Sequence, residues 1–395
     1  MLNNYKILFK FSGAKRIALA GFIARMPVAM DTLAIILFVH SVDSRYFVAG
    51  ALTAVAAFTT VFSAPLWSKV ADLRGQAFVL RIAIPARVFA IICFILLVKT
   101  SAPIWTWFFS IFLAELGSVS IGSMTRRRWV HLIDEDDKNL LSTSYAFESL
   151  LDEFVYIIGP VITTGIVAAT EPVAGLLLGI CFLIVGIPLI ATHKKSDPKV
   201  ENRQLRKRLK SVIRDRKLQA VGIPLTIAGG CFSAVNISVV AFATERSMSS
   251  SVGFVLGAWA AGGAVSAIIN GSITWKISHG IRYLGYLSGM TLIALTFPFI
   301  NNLWLLTFAL FLQGMCVGPL LPNGLPLVTN SVPSSQMTQA ITLVTSGIPL
   351  TGALSSFISG RVIDNFGARA GLWLPFCFLA LACVSTFPYA KEYRS

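Results

Sequence analysis

Long apolar stretches recur along the whole chain and constrain its fold more than any other feature. A helix of about 20 apolar residues spans the roughly 30 Å of hydrocarbon in a bilayer. Twelve stretches of this kind follow one another, with few charged residues inside them. The pattern predicts an all-α membrane protein with twelve transmembrane helices. The predicted spans are 17–41, 47–67, 78–98, 103–124, 143–168, 173–192, 218–243, 252–274, 283–300, 303–328, 336–360 and 370–390.

The composition agrees with this interpretation. Only 13% of the 395 residues are charged, whereas a soluble chain carries about 25%. The six cysteines lie inside apolar runs without the spacing of metal ligands. They are interpreted as small apolar side chains and not as a disulfide framework. No metal and no cofactor is expected.

The basic residues fall mostly on one side of the predicted membrane. With the N-terminus inside, 26 of the 33 lysines and arginines lie in cytoplasmic segments and 5 lie in segments on the other side. Basic loops stay in the cytoplasm, so this bias predicts a multi-pass protein of the cell membrane with both termini cytoplasmic. Topology then explains the formal charge of +15 without a nucleic-acid partner.

Two groups of six spans flank a basic central stretch. We expect an N-terminal half at 1–192, a basic cytoplasmic linker at 193–217 and a C-terminal half at 218–395. The linker is too polar to insert and is interpreted as a topological anchor that anionic lipids attract. Six plus six spans around such a loop is the layout of transporters whose halves rock about a midplane site.

The loop after the second span reads Ser-Lys-Val-Ala-Asp-Leu-Arg-Gly over residues 68–75. It resembles the cytoplasmic signature G-x-x-x-D-R-x-G-R-R of the major facilitator superfamily, with Asp72 and Gly75 at the matching positions. Gly75 permits a tight turn. The resemblance implies a latch formed by Asp72, Arg74 and Gly75, in which Asp72 faces the N-terminus of helix eleven near Ser334. The alternative is a solvated loop acid.

Other stretches are similar to a bacterial permease and efflux branch of the same superfamily. They are 24–30 in helix one, 126–129 after helix four and 360–369 after helix eleven. Gly159-Pro160 in helix five resembles part of the antiporter signature. The glycines that precede this pair in the signature are absent, so the direction of transport stays open. The arginine usual in helix four is also absent, and Glu115 is the only charged residue there.

Charged residues inside the predicted spans are confined to the first half. An ionised side chain near the bilayer centre costs a few kcal/mol, so it needs a partner or a use. The spans of the second half contain no such residue. Arg81, at the start of the third span, is counted with the cytoplasmic loop before it, and the other seven charged residues are Arg25, Asp31, Arg87, Glu115, Glu148, Asp152 and Glu153.

Arg25 is expected to form an ion pair in the membrane. At about 1.5 Å per residue, it lies at a depth comparable to that of Glu148 and Asp152 in helix five. These two acids are four residues apart and share a helix face, whereas Glu153 points about 100° away from Asp152. We predict that Arg25 pairs with Glu148 or Asp152, helped by a bend at Pro27. A purely structural pair and a functional one both fit the sequence.

Asp31 differs, because it lies near the midplane on a largely different face from Arg25. Without a neighbouring cation, such a buried acid favours its protonated form and can exchange a proton between the two sides. An acid that stays protonated and only donates a hydrogen bond is the alternative. The candidates for proton coupling are Asp31, Glu115, Glu148 and Asp152.

The second half offers uncharged polar and aromatic groups at membrane depth. Asn236, Gln313 and Asn323 suit hydrogen bonding to a solute or to each other. Trp259 lies well inside a span and can stack on an apolar or cationic ligand, although packing alone also explains it. These four residues are the candidates for substrate binding. Several glycines in these spans predict close helix approach.

The function predicted from these features is secondary active transport. We expect proton-coupled efflux, by antiport, of small amphipathic or cationic compounds. Proton-coupled nutrient uptake by symport is the alternative on the same fold, and a non-transporting scaffold or sensor is an alternative of another class. The chain carries no His-Glu-x-x-His, no Gly-x-Ser-x-Gly and no phosphate loop, so no enzyme activity is expected. The expected partners are a small-molecule substrate, protons and membrane lipids, and the chain is expected to act as a monomer.

Overall fold

The structure is a computed structural model that describes residues 7–11, 13–133, 138–193, 196–197, 215–273, 275–329 and 337–393. These ranges contain helices and turns but no β-strand. Most of the predicted linker 193–217 lies outside the described residues. So does Ser334, near which Asp72 was expected to find its partner.

Fifteen α-helices are formed by the described residues. The first seven are α1 (Ala14–Val42), α2 (Tyr46–Arg74), α3 (Gln76–Lys99), α4 (Ile104–Leu116), α5 (Ile121–Leu132), α6 (Lys138–Ala169) and α7 (Ala174–Ala191). The others are α8 (Arg216–Thr244), α9 (Val252–Ser272), α10 (His279–Ala294), α11 (Leu303–Val317), α12 (Leu320–Thr329), α13 (Met337–Phe366), α14 (Ala368–Gly371) and α15 (Trp373–Val384).

The helices follow the predicted spans closely. Ten segments of the described chain are long and apolar enough to cross a membrane. Two more helices, α10 and α13, occupy the positions of the ninth and eleventh predicted spans. The predicted all-α membrane fold with twelve spans is therefore confirmed. Pro27 lies inside α1 without ending it, as membrane helices tolerate.

Three predicted spans each contain the end of one helix and the start of the next, and one of them is the twelfth, 370–390, which is divided between α14 and α15. The fourth span, 103–124, breaks between α4 and α5, and the tenth, 303–328, breaks between α11 and α12. The first break begins at Gly117, where a Cβ would lie 2.6 Å from the Ala83 carbonyl oxygen of α3. The helix ends where the chain approaches α3 this closely, and hydropathy alone does not reveal such a contact.

Contacts divide the chain into two compact units. Unit 1 contains Met1–Phe38 and Thr59–Gln204, and unit 2 contains Val39–Phe58 and Leu205–Ser395. The end of α1 and the start of α2 thus group with unit 2. The division into halves at 1–192 and 218–395 stays a prediction.

In unit 1 an apolar core joins α1, α3, α5 and α7. This core of unit 1 includes Ala20, Val79, Leu80, Met124, Leu183 and Ile187.

In unit 2 the central helix is α8. It packs along α13 and α15 and is buried over most of its length.

Small residues set the spacing of α9 and α11 in unit 2. A Cβ on Gly314 would overlap the carbonyl oxygen of Trp259, and a Cβ on Gly262 would overlap that of Phe311. The two backbones therefore touch, which is the close approach expected from the glycines of the second half.

Candidate functional site

One arginine joins two acids within the membrane-spanning helices of unit 1. Arg87 on α3 donates to Asp31 on α1, with 2.7 Å between Nη2 and Oδ2, and to Glu115 on α4, with 3.0 Å between Nη2 and Oε1. Ser118 accepts a further bond from Arg87 at 3.0 Å, and Thr60 on α2 donates to Glu115 at 3.0 Å. We refer to Asp31, Arg87 and Glu115 as the Arg87 cluster.

The expectation that Asp31 lacks a cation is wrong. Arg87 supplies one, and Asp31 and Arg87 lie 56 residues apart in the sequence. Nothing in the local pattern reveals which face of α3 meets which face of α1. In the sequence, the one indication of this pair is that Asp31 and Arg87 both lie in the interior of their predicted spans.

The charges of the Arg87 cluster do not balance. With both carboxyl groups ionised, two negative charges share one guanidinium, and all three side chains are largely buried. An excess charge is costly in surroundings of low dielectric constant. Binding one proton makes the cluster neutral, so the arrangement favours proton uptake.

A second ionic group in unit 1 is balanced. Arg25 pairs with Glu148 and with Asp152, at 3.0 Å from Nη1 to Oδ1. Arg126 on α5 pairs with the other oxygen of Asp152 at 2.6 Å. We refer to Arg25, Arg126, Glu148 and Asp152 as the Arg25 cluster. Two cations face two acids, so this group is neutral without a proton.

Glu148 is the most buried member of the Arg25 cluster, with 0% exposure. Besides Arg25, Trp129 donates to it at 2.6 Å and Thr125 at 2.8 Å. Three donors satisfy the hydrogen-bonding capacity of this buried carboxylate. The ion pair expected for Arg25 is thus present with both acids, and its geometry is that of a structural clamp between α1, α5 and α6.

Three consecutive arginines on α5 each meet a different acid. Arg126 pairs with Asp152, Arg127 with Asp72 and Arg128 with Asp197 at 3.4 Å. Successive residues of a helix point about 100° apart, so one short segment serves three directions. In the sequence this run stands out only as a family resemblance, and its partners are not evident because they lie on other elements of the chain.

Asp72 makes a different contact from the one that the resemblance implies. Its partner among the described residues is Arg127, and the stretch near Ser334 lies outside them. Gly75 adopts a φ of 89°, which suits the expected tight turn. Arg74 lies 5.1 Å from the ring centroid of Phe78. The latch formed by Asp72, Arg74 and Gly75 stays a prediction.

The same Asp-x-x-Gly ending occurs a second time, at the end of α13. Asp364 precedes Gly367 by three residues, as Asp72 precedes Gly75, and Gly367 also has a positive φ, of 80°. The family resemblance of residues 360–369 assigns this stretch no role. The repeated spacing was the signal that could have indicated one.

Asp364 caps the first turn of α2 within unit 2. Its two carboxylate oxygens accept hydrogen bonds from the backbone N–H groups of Tyr46 and Phe47, each at 2.8 Å. The first N–H groups of a helix lack partners inside that helix, and the helix dipole favours an anion at this end. The contact therefore ties the end of α13 to the start of α2.

Replacing Asp364 with alanine is expected to lower the free energy of unfolding by about 0.5–2 kcal/mol, the usual effect of losing a helix cap. Thermal unfolding in detergent measures this change. The matched control is Glu171→Gln, an exposed acid that pairs with the exposed Lys99 and whose loss should leave the melting temperature at that of the wild type. Equal melting of Asp364→Ala and the control would contradict the cap.

The uncharged candidates of unit 2 do not all lie together. Trp259 on α9 lies against Phe232 on α8, with ring centroids 5.7 Å apart. Gln313 on α11 donates to the adjacent Cys231, at 3.7 Å from Nε2 to Sγ. The indole nitrogen of Trp259 and the Oε1 of Gln313 are buried and have no hydrogen-bond partner in the described structure. An unpaired donor and acceptor at adjoining helices suit a polar solute.

The other two candidates occupy different surroundings. Asn236 lies one turn after Phe232 and donates to its carbonyl oxygen at 2.8 Å, which leaves the amide oxygen available. Asn323 on α12 donates to Asn270 at 3.3 Å and to the Pro319 carbonyl. It therefore belongs to another polar group.

Two characterised transporters are similar to parts of the chain. The multidrug-resistance efflux pump PmrA of Streptococcus pneumoniae is 30% identical over 94 residues, which span 24% of this chain and 23% of the pump. The gallate transporter of Pseudomonas putida is 25% identical over 160 residues, which span 38% of this chain and 36% of that transporter. The chain thus matches well under half of the length of either protein.

The fold is shared over almost the whole chain. The crystal structure of the nucleoside transporter NupG matches 96% of this chain and 98% of its own, with a TM-score of 0.75 and 11% identity. At this identity the likeness shows the fold alone. The family model of the Major Facilitator Superfamily matches residues 17–301 and 278–394. This match covers nearly all of the sequence, and the chain therefore belongs to the Major Facilitator Superfamily of secondary transporters.

Proposed function

We propose that this chain is a proton-coupled efflux transporter of small amphipathic or cationic compounds, with both termini in the cytoplasm. The observation that carries the proposal is the uneven Arg87 cluster, in which one buried guanidinium serves two carboxyl groups. A carrier driven by protons needs a group inside the membrane that is stable with and without one proton. The Arg25 cluster is already neutral, so Glu148 and Asp152 are the weaker of the four candidates.

Within the Arg87 cluster, Asp31 is the better proton acceptor. Glu115 has two donors, Arg87 and Thr60, whereas Arg87 is the donor to Asp31. The side chain of Asp31 is also more accessible to a proton, at 14% exposure against 9% for Glu115. Protonating Asp31 weakens its charge-assisted bond to Arg87 and so loosens α1 from α3. This gives proton binding a structural consequence.

The substrate is assigned to unit 2, where Trp259, Phe232 and Gln313 present aromatic surface and unpaired polar atoms. Side chains without charge suit amphipathic solutes better than phosphorylated solutes, because a phosphorylated solute needs lysine or arginine side chains in its binding site. Similarity to a multidrug efflux pump supports export.

Replacing Asp31 with asparagine is expected to reduce proton-driven transport by roughly 5- to 150-fold, the usual range of coupling between two sites. The measurement is movement of ethidium, an amphipathic cation, in proteoliposomes with an imposed pH gradient. Glu115→Gln should have a smaller effect, and the exposed Lys99→Gln should have none. Wild-type coupling in Asp31→Asn would refute the assignment.

Uptake by symport is a second candidate, favoured by the similarity to a gallate transporter. The same vesicles distinguish the two, because an antiporter moves solute against the proton flow and a symporter moves it with that flow. A scaffold or sensor would move no solute in either direction.

A further inference from the structure

Arg282, in the first turn of α10, carries a charge that no described acid neutralises. It is half-buried and forms no ion pair with a described residue. Its Nη2 lies 3.0 Å from Nδ1 of His279, and its Nε is buried without a hydrogen-bond partner in the described structure. The sequence contains no Asp or Glu between Glu245 and Asp364, so α9, α10 and α12 offer this guanidinium no acid.

Three donors beside this arginine share one neutral acceptor. Arg282, Tyr286 and Asn323 donate to Oδ1 of Asn270, at 3.4, 3.4 and 3.3 Å respectively. These distances exceed the usual values of about 2.9–3.0 Å for N–H donors and about 2.7–2.8 Å for O–H donors, and an amide oxygen has two lone pairs for the three of them. The donors are therefore only partly satisfied. A charged oxygen accepts more strongly than a neutral one, so this group suits an oxyanion.

Apolar and aromatic side chains surround Arg282 on the protein surface. The ring of Trp275 lies 5.4 Å from the guanidinium carbon. Three isoleucines near it each expose 46–50% of their surface, namely Ile273, Ile277 and Ile281. The segment lies between the predicted spans 252–274 and 283–300, at the level of the lipid headgroups. A tryptophan at this level is typical of a membrane interface.

We propose that Arg282, Trp275 and Tyr286 bind the phosphate group of an anionic phospholipid, with Ile277 and Ile281 against its glycerol and acyl region. The planar guanidinium presents several N–H donors to phosphate oxygens. The phosphate supplies the negative charge that α9, α10 and α12 lack. This site is separate from the proposed transport of a solute and adds a lipid to the function.

The surrounding charges favour an anionic lipid over a zwitterionic one. Lys276 is exposed and adds a second positive charge, whereas the acid of the adjoining C-terminal segment, Glu392, pairs with Arg216 at 3.0 Å. The cationic headgroup of a zwitterionic lipid would thus meet positive charge. With both termini in the cytoplasm, this loop lies at the cytoplasmic leaflet, where anionic lipids attract basic segments. A soluble phosphate would leave the isoleucines uncovered.

Native mass spectrometry of the purified full-length chain in detergent, titrated with dioleoyl phosphatidylglycerol, tests this site. Arg282→Gln should weaken binding roughly fivefold, the usual contribution of one basic residue at an anionic membrane surface. Arg81→Gln is the matched control, because Arg81 is also exposed on the predicted cytoplasmic side and has no ion pair among the described residues. It should bind the lipid as the wild type does. Dioleoyl phosphatidylcholine should bind more weakly to the wild type and equally to all three proteins.

Asn270→Asp tests the charge of Arg282 without removing the arginine. The new carboxylate would pair with Arg282 at the position of the present Oδ1 and should weaken phosphatidylglycerol binding about as much as Arg282→Gln. Its melting temperature should equal or exceed that of the wild type, which separates loss of binding from loss of folding.

Three results would overturn the inference. They are unchanged phosphatidylglycerol binding in Arg282→Gln and Asn270→Asp, an equal loss in Arg81→Gln, which would show general surface attraction, and displacement of the lipid by inorganic phosphate, which would show a site for a free anion. None of these measurements depends on solute movement, so failure of the proposed transport would leave this inference standing.

Discussion

Arg25→Gln is expected to destabilise the protein by about 3–5 kcal/mol, the effect of breaking a buried ion pair from one side. Glu148, which is fully buried, would lose its cation. Trp129 and Thr125 would still donate to it, but neither neutralises its charge. Unfolding in mixed detergent micelles, followed by tryptophan fluorescence, measures the change.

A second substitution identifies the unpaired charge as the cause. The double variant Arg25→Gln, Glu148→Gln removes both charges and leaves Asp152 paired with Arg126. It should recover much of the lost stability, because the penalty comes from the carboxylate left alone. Lys99→Gln breaks an exposed pair and should change the unfolding free energy by no more than about 1 kcal/mol. A double variant as unstable as Arg25→Gln would mean that packing, and not charge, explains the loss.

Gly314→Ala is expected to destabilise unit 2 by about 1–3 kcal/mol through overpacking. The added methyl group would overlap the carbonyl oxygen of Trp259 on α9. A backbone oxygen cannot rotate aside as a side chain can, so α9 and α11 must separate. Because Trp259 and Gln313 lie at this contact, ethidium binding should weaken as well. The measurements are thermal unfolding and binding on the same purified samples.

Gly285→Ala is the matched control for this substitution. Gly285 is also helical, but no atom lies within 4 Å of a Cβ placed there. Alanine favours helix over glycine by up to about 1 kcal/mol, so the control should be as stable as the wild type or more stable. Equal melting temperatures of Gly314→Ala and Gly285→Ala would show that α9 and α11 do not touch as the structure has them.

Depth along a helix was enough to predict the pair of Arg25 with the acids of helix five. These residues lie at similar distances from the same membrane surface. A buried charge is costly unless an opposite charge lies beside it, so residues at the same depth are expected to pair. The same reasoning failed for Asp31, because its cation comes from α3 and the sequence does not reveal which helices are neighbours. Arg126 was missed because it was assigned to a loop, whereas α5 carries it to the Asp152 carboxylate.

For Asp364 the sequence reveals the local motif but not the contact that the residue makes. The Asp-x-x-Gly spacing was readable twice in the sequence, but the partner of each acid was not. The backbone N–H groups at the start of α2 are 318 and 317 residues away from Asp364. Asp72 has the same local geometry and meets an arginine side chain instead.

The sequence by itself determined that this chain crosses a membrane, how many times, and which segments carry charge. These properties depend on the transfer of each segment from water to hydrocarbon, which is a local property of its residues. Only the tertiary structure decided which acids are neutralised and which are not. Ion pairing depends on distances between side chains of different helices, and those distances exist only after the helices have packed.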